Sequence, residues 1–143
     1  MAASAPPCEL CSTTGGTLLW QNESCRVVAV DDADYPGFVR VIAARHVREM
    51  TDLAEEERRA LMEVVLAVEA AVRETMGPDK MNLASLGNMT PHVHWHVIPR
   101  FRDDRHFPGP VWAAAQRERA IPAERIERAK RIGAAISRRL GRG

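Results

Sequence analysis

Thr90-Pro91-His92-Val93-His94-Trp95-His96-Val97-Ile98-Pro99-Arg100 is the stretch that decides the reading of this chain. Three of the five histidines lie in it, alternating with Val93, Trp95 and Val97. Side chains of a strand point to opposite faces with a period of two. His92, His94 and His96 are therefore expected on one face, and the three apolar residues on the other. Pro99 cannot donate to a sheet ladder and suits the end of such a strand. Three readings compete for the row of imidazoles. It is a polar solvent-facing surface, where Lys, Thr or Glu would serve equally. It is a three-histidine metal centre, since His-x-His on a strand binds zinc. Or it is a catalytic row, with one neutral imidazole as nucleophile and its neighbours handling charge.

Upstream, Thr17–Trp20 and Cys25–Val30 read as a strand–turn–strand hairpin, and Asp31–Gly37 as an acidic loop rich in turn formers. Phe38–Ala43 is a third strand and Met81–Leu86 a fourth, with the histidine stretch fifth. Between them, Asp52 to Met76 carries Leu61, Val65, Val68, Val72 and Met76 at spacings of three and four, an amphipathic helix. Asp52 is expected to cap it, with Glu55 completing a capping box, and Gly77-Pro78 to stop it. Phe101–Trp112 holds Pro108, Gly109 and Pro110 without periodicity and reads as a long loop. Pro122 opens a last, basic helix over 122–140, with an apolar stripe of Ile126, Ala129, Ile132 or Gly133, Ile136 and Leu140. Grouped antiparallel strands with one main helix make an α+β fold.

The 143 residues suffice for one domain with a sizeable core; it is expected over 8–143 after a flexible leader at 1–7. Net charge is +1, so bulk charge favours neither nucleic acid nor membrane. Residues 117–143 nevertheless hold nine basic against three acidic side chains, a local balance of +6. No apolar run reaches membrane-spanning length, and the start lacks the basic and apolar regions of a signal peptide. Three cysteines, an odd number, argue against a disulfide framework, and a reducing cytoplasm is the simpler setting. Cys8 and Cys11 have the spacing of a zinc knuckle, of a redox pair, or of two ordinary thiols; a zinc centre would need two more ligands, for which His46 and His92 are the candidates. Cys25, in an apolar strand, is expected in the core.

His92-Val93-His94-Trp95-His96-Val97-Ile98 resembles the signature of the histidine triad (HIT) family, three histidines alternating with apolar residues, at every position. The likeness runs from Cys8 to about Arg100 and takes in the order of strands and helix. It implies a HIT-like fold: a five-stranded antiparallel sheet, one main helix and a C-terminal helix. It implies a nucleotide hydrolase or nucleotidyl transferase acting at the α-phosphate of AMP-type conjugates, dinucleoside polyphosphates or nucleoside phosphoramidates, through a covalent nucleotidyl-histidine. His94 takes the nucleophile's position and His96 contacts the phosphoryl oxygens or the leaving atom. Asp31 matches an acid that accepts from ribose hydroxyls, and Asn82, Gly87 and Asn88 complete the nucleotide and phosphate set. In the family's zinc-binding branch, the matching ligands are Cys8, Cys11, His46 and His92, a structural zinc with no catalytic cofactor required. The resemblance also implies a purine, adenine-type nucleotide and a homodimer with one continuous sheet. Two positions depart from the pattern: Phe38 stands where many members have histidine, and Asn88 where glutamine is usual. A zinc-stabilised nucleotide sensor with little turnover and a nucleic-acid end-processing protein are the alternatives. The loop ending at Trp112 is expected to border the leaving group near the dimer seam.

Overall fold

Sheet-forming residues and one amphipathic helix organise the computed structural model, which describes residues 7–142; most of the expected leader lies outside the described residues. The strands are β1 (Thr17–Gln21), β2 (Cys25–Ala29), β3 (Val39–Ala43), β4 (Lys80–Ala84) and β5 (His94–Arg100). They form a five-stranded sheet in the order β1-β2-β3-β5-β4, with every neighbouring pair antiparallel. A short helix, α1 (Glu9–Ser12), precedes the sheet, and α2 (Glu55–Met76) connects β3 to β4. Because β4 is laid down at the edge, the histidine strand enters last and is paired on both sides.

The period-two reading of the strand holds in three dimensions. Val93 and Val97 are buried, and Trp95 is half-buried against them, in one core with Leu61, Val65, Val68, Val72 and Met76 of α2. Each such aliphatic side chain, fully removed from water, contributes about 1.5–3 kcal/mol. The opposite face carries His92, His94 and His96, all buried, followed by Ile98 and Arg100. Pairing with β3 ends at Val97, so Pro99 lies where β4 alone continues the ladder and its missing N–H is tolerated. The turn into β5 is also tied down: Val93 N–H donates to the Val47 carbonyl at 2.9 Å, and Ala43 N–H to the Val93 carbonyl at 3.0 Å.

The expected start of the long helix shifts. Asp52 ends a 3-10 turn, Met50–Asp52, and accepts the Glu49 N–H at 3.1 Å. The helix proper opens after Ala54, whose N–H donates to Glu57 Oε1 at 3.0 Å. Leu53, buried in the core, pins the chain between the two and delays the helix. At the other end Gly77 takes φ 59° and donates to the Arg73 carbonyl, a left-handed cap that only glycine adopts cheaply.

The C-terminal helix is interrupted. It forms α3 (Ala123–Ala129) and α4 (Ile132–Leu140), joined at Lys130 and Arg131 by i→i+3 bonds, Lys130 N–H to Glu127 and Arg131 N–H to Arg128. The break lets Ile132, Ala135 and Ile136 enter the main core, while Ile126 stays exposed. The tail's positive charge is largely engaged within the chain: Arg119 and Arg125 hold Asp103, Arg128 holds Glu124, Lys130 holds Glu127 and Arg139 holds Glu74, at 2.7–2.9 Å. No described helix is long and apolar enough to cross a membrane.

Candidate functional site

The row of histidines serves two adjacent sites. At its start, His92 turns its Nδ1 toward α1. Cys8 Sγ lies 3.4 Å and Cys11 Sγ 3.5 Å from that nitrogen, and His46 Nδ1 lies 3.2 Å from it; Cys11 Sγ is 3.4 Å from His46 Nδ1. All four donor atoms lie within 4.8 Å of one another. A tetrahedral zinc, with bonds of about 2.0 Å to nitrogen and about 2.3 Å to sulfur, has N···N edges of about 3.3 Å and N···S edges of about 3.5 Å. The cluster has those edges and the two-sulfur, two-nitrogen donor set of a structural zinc, so the residues fit the metal. The rest of the geometry agrees. His92 Nε2 sits 2.7 Å from the Ala43 carbonyl. A carbonyl only accepts, so that nitrogen carries the proton and Nδ1 presents its lone pair to the cluster, as a metal-ligating histidine requires.

Two residues on, His94 has the reverse arrangement. Its Nδ1 is 2.6 Å from the His92 carbonyl and must donate, which leaves the Nε2 lone pair unused by the backbone. The Ser85 hydroxyl donates to the His94 carbonyl at 2.8 Å and steadies the strand beside it. A cavity of about 440 Å³ opens over this face, lined among others by Arg40, Gly87, Asn88, His94, His96 and Trp112. Gly87 takes φ 78° in its wall, a left-handed conformation that strains other residues.

His96 is packed by aromatic rings. Its centroid is 4.9 Å from His94, 4.9 Å from Trp112 and 5.7 Å from Phe38, all edge-on. Burial, then the neighbouring His94 and Arg40, push its pKa down to about 4, so it is neutral at physiological pH. Its Nδ1 is enclosed without a hydrogen-bond partner among the described residues. Phe38, in place of a histidine, thus supplies an apolar wall and not a proton relay.

Of the residues expected at the site, His94, His96, Gly87 and Asn88 meet at this cavity, and Cys8, Cys11, His46 and His92 meet at the cluster. Asp31 is exposed in the loop after β2 and Asn82 is half-buried on β4; neither lines the cavity. Asn82 Oδ1 accepts Arg100 Nη1–H at 2.8 Å. Arg100 anchors a network that sequence reasoning missed. Its Nε and Nη2 donate to Asp104 at 2.8 and 3.0 Å, and both side chains are 2% exposed. Asp104 also accepts the N–H groups of Phe101, His106 and Phe107 and the Tyr35 hydroxyl, while Tyr35 lies 2.6 Å from His106 Nδ1. This network gives the loop from Phe101 a fixed shape and brings Trp112 to His96. Arg40 was also overlooked. Its signal was available, since Val39 and Val41 face the core and period two then turns Arg40 to the histidine side.

Known proteins share both sequence and fold with this chain. A Mycobacterium tuberculosis protein named AP-4-A phosphorylase is 28% identical over 78 residues, a match spanning 50% of this chain and 40% of that relative. The structure is similar to that of a histidine triad protein from Bradyrhizobium japonicum, with TM-score 0.72 and 28% identity over 89% of this chain and 92% of the other. A zinc-bound histidine triad family protein from Mycobacterium smegmatis shares the fold, with TM-score 0.65 and 21% identity over 92% of this chain and 94% of that one. Residues 14–103 match the HIT domain, and the chain belongs to that family.

Proposed function

We propose that the protein transfers the nucleotidyl group of an AMP-type conjugate, a dinucleoside polyphosphate or a nucleoside phosphoramidate, through a covalent nucleotidyl-His94. The observation that carries this reading is the 2.6 Å bond from His94 Nδ1–H to the His92 carbonyl, which fixes the tautomer with a lone pair on Nε2. That pair forms a bond to the α-phosphorus as the bond from phosphorus to the leaving group breaks. The leaving group departs with the bonding electrons and takes a proton. An oxygen of water or of phosphate then attacks the same phosphorus, the P–N bond breaks, and Nε2 recovers its pair. Splitting one displacement into two lowers each barrier. His96 is drawn toward protonation by a bound phosphate's negative charge and hydrogen-bonds the phosphoryl oxygens or the leaving atom. Gly87 and Asn88 offer backbone and amide donors to the same group, and Asp31 and Asn82 belong to the nucleotide's outer contacts.

A structural zinc on Cys8, Cys11, His46 and His92 holds α1 to the sheet and fixes the peptide whose carbonyl orients His94. It supplies rigidity at the head of the row, not chemistry on the substrate. The likeness to a protein named for AP-4-A supports adenine as the base. Three cysteines without a disulfide among the described residues suit a reducing, cytoplasmic setting. The protein functions as a homodimer: β4 is an edge strand with Leu83 exposed, and such an edge invites pairing with a second copy. Sedimentation at micromolar protein checks this, with a fully active species of 15.9 kDa contradicting it.

The test is a product assay over a panel of AMP conjugates, with and without orthophosphate and with His94→Ala as the blank. AMP as product identifies water as acceptor, and ADP identifies phosphate. Tight nucleotide binding without turnover on any conjugate would favour a nucleotide sensor instead.

A further inference from the structure

Arg40 is a guanidinium without an employer in the fold. It projects from β3 onto the histidine side of the sheet, where its Cα pairs with that of His96, and it lines the same cavity. Its one hydrogen bond among the described residues is long, Nη1–H to the Gly15 carbonyl at 3.4 Å. Its Nε is enclosed with no partner among the described residues. Arg100, which is buried where Arg40 is half-buried, shows how this fold treats a guanidinium whose task is structural: a carboxylate at 2.8 Å and acceptors around it. A half-buried guanidinium that lines a cavity with so little of it engaged is matched to an anion that arrives with the ligand.

The position says which anion. The reacting phosphorus must lie against His94 Nε2. His94 pairs with Ile42 across the strands, and Arg40 pairs with His96, one full pleat farther along. Two residues of strand advance about 7 Å, so Arg40 stands beyond the nucleophile and beside His96 and Trp112. His96 is neutral there, so Arg40 is the permanent positive charge lining the cavity.

We propose that Arg40 forms an anion subsite for the phosphoryl group next to the α-phosphate, so that the protein prefers nucleotide conjugates with a phosphate leaving group to those with a neutral amine. This rests on the functional reading above and deepens it. The guanidinium's planar fork meets two oxygens of one phosphoryl group and stabilises the negative charge that the leaving group gathers as its bond to the α-phosphorus breaks.

The experiment compares kcat/KM on diadenosine tetraphosphate and on an adenosine phosphoramidate for the native protein, Arg40→Lys and Arg40→Gln. Removing one charge-assisted bidentate contact is expected to lower the ratio of the two values ~10- to 100-fold in Arg40→Gln, with Arg40→Lys between. A ratio that stays within about threefold of the native value, whether both activities fall or neither does, overturns the proposal, because Arg40 then serves the α-phosphate or the fold alone. A second readout does not need turnover. The affinity for ADP relative to AMP is expected to fall ~10-fold or more in Arg40→Gln, and an unchanged ratio overturns the subsite even if no conjugate proves to be a substrate.

Discussion

Asp104→Ala should be among the most destabilising single changes outside the histidine row. Asp104 and Arg100 are each 2% exposed, and the carboxylate accepts two bonds from the guanidinium and three from backbone N–H groups. Truncating one member of a buried ion pair leaves the other charge uncompensated, at a cost of about 3–5 kcal/mol. Against a total stability of about 5–15 kcal/mol, a 4 kcal/mol loss lowers the urea midpoint by ~2 M. The paired replacement Arg100→Met with Asp104→Leu removes both charges and should cost less than Asp104→Ala alone. The carboxyl also carries a pH signature. Burial by itself pushes its pKa up, but the Arg100 hydrogen bond, the Phe101 N–H and the Arg100 charge more than offset this and hold it at about 2, against 3.8 for a free side chain. Since the folded pKa lies below the unfolded one, its contribution is fully present above about pH 4 and is lost as the pH falls toward 2, roughly 2.5 kcal/mol in all. Urea unfolding followed by circular dichroism at pH 7 and at a series of acid pH values measures both effects. A loss below about 1 kcal/mol for Asp104→Ala, or a double variant as unstable as the sum of its singles, would refute the reasoning.

Other consequences can be checked separately. Metal analysis should return about one zinc per chain, and Cys8→Ser should lower the melting temperature more than it lowers the activity of the folded fraction; metal-free protein of unchanged stability contradicts the four-ligand cluster. Trp112→Ala, which removes the ring 4.9 Å from His96, should change the preference among leaving groups more than the affinity for AMP, read from competition assays; an equal loss on every substrate means that the loop only supports the fold. Acid should also weaken the fold through His96: with a folded pKa of about 4 against 6.5 unfolded, it stays neutral in the folded protein down to that range and its contribution to stability fades as the pH falls from 6.5 to 4, a trend that should vanish in His96→Phe when urea unfolding is followed across that range.

How much of this was legible in the sequence depends on the range of the interaction. The histidine strand and the long helix announce themselves through local periodicity, and the structure keeps both faces of β5 and the stripe of α2 as read. The cap of α2 was misplaced because Asp52 and Glu55 satisfy a local rule, while burial of Leu53, a tertiary fact, moves the start to Ala54. The break between α3 and α4 has the same origin, since only packing against the core decides that Ile132 and Ile136 turn inward and Ile126 outward. The ligand cluster draws on α1, the segment after β3 and the approach to β5, so spacing marked only Cys8 and Cys11, and the family resemblance was needed to match His46 and His92 to them. The Arg100–Asp104–Tyr35 network had no sequence signature: an i,i+4 pair in a loop looks like any solvated ion pair until its burial is known.

The central claim is a bond between phosphorus and His94. Acid-quenched mixing of the protein with a substrate labelled at the α-phosphate, followed by peptide mapping, tests it most directly. The account predicts one acid-labile, alkali-stable label per active site, on the peptide containing His94, forming as fast as the leaving group is released and absent from His94→Ala. Release of product at full rate with no label on that peptide, or undiminished turnover by His94→Ala, would contradict it.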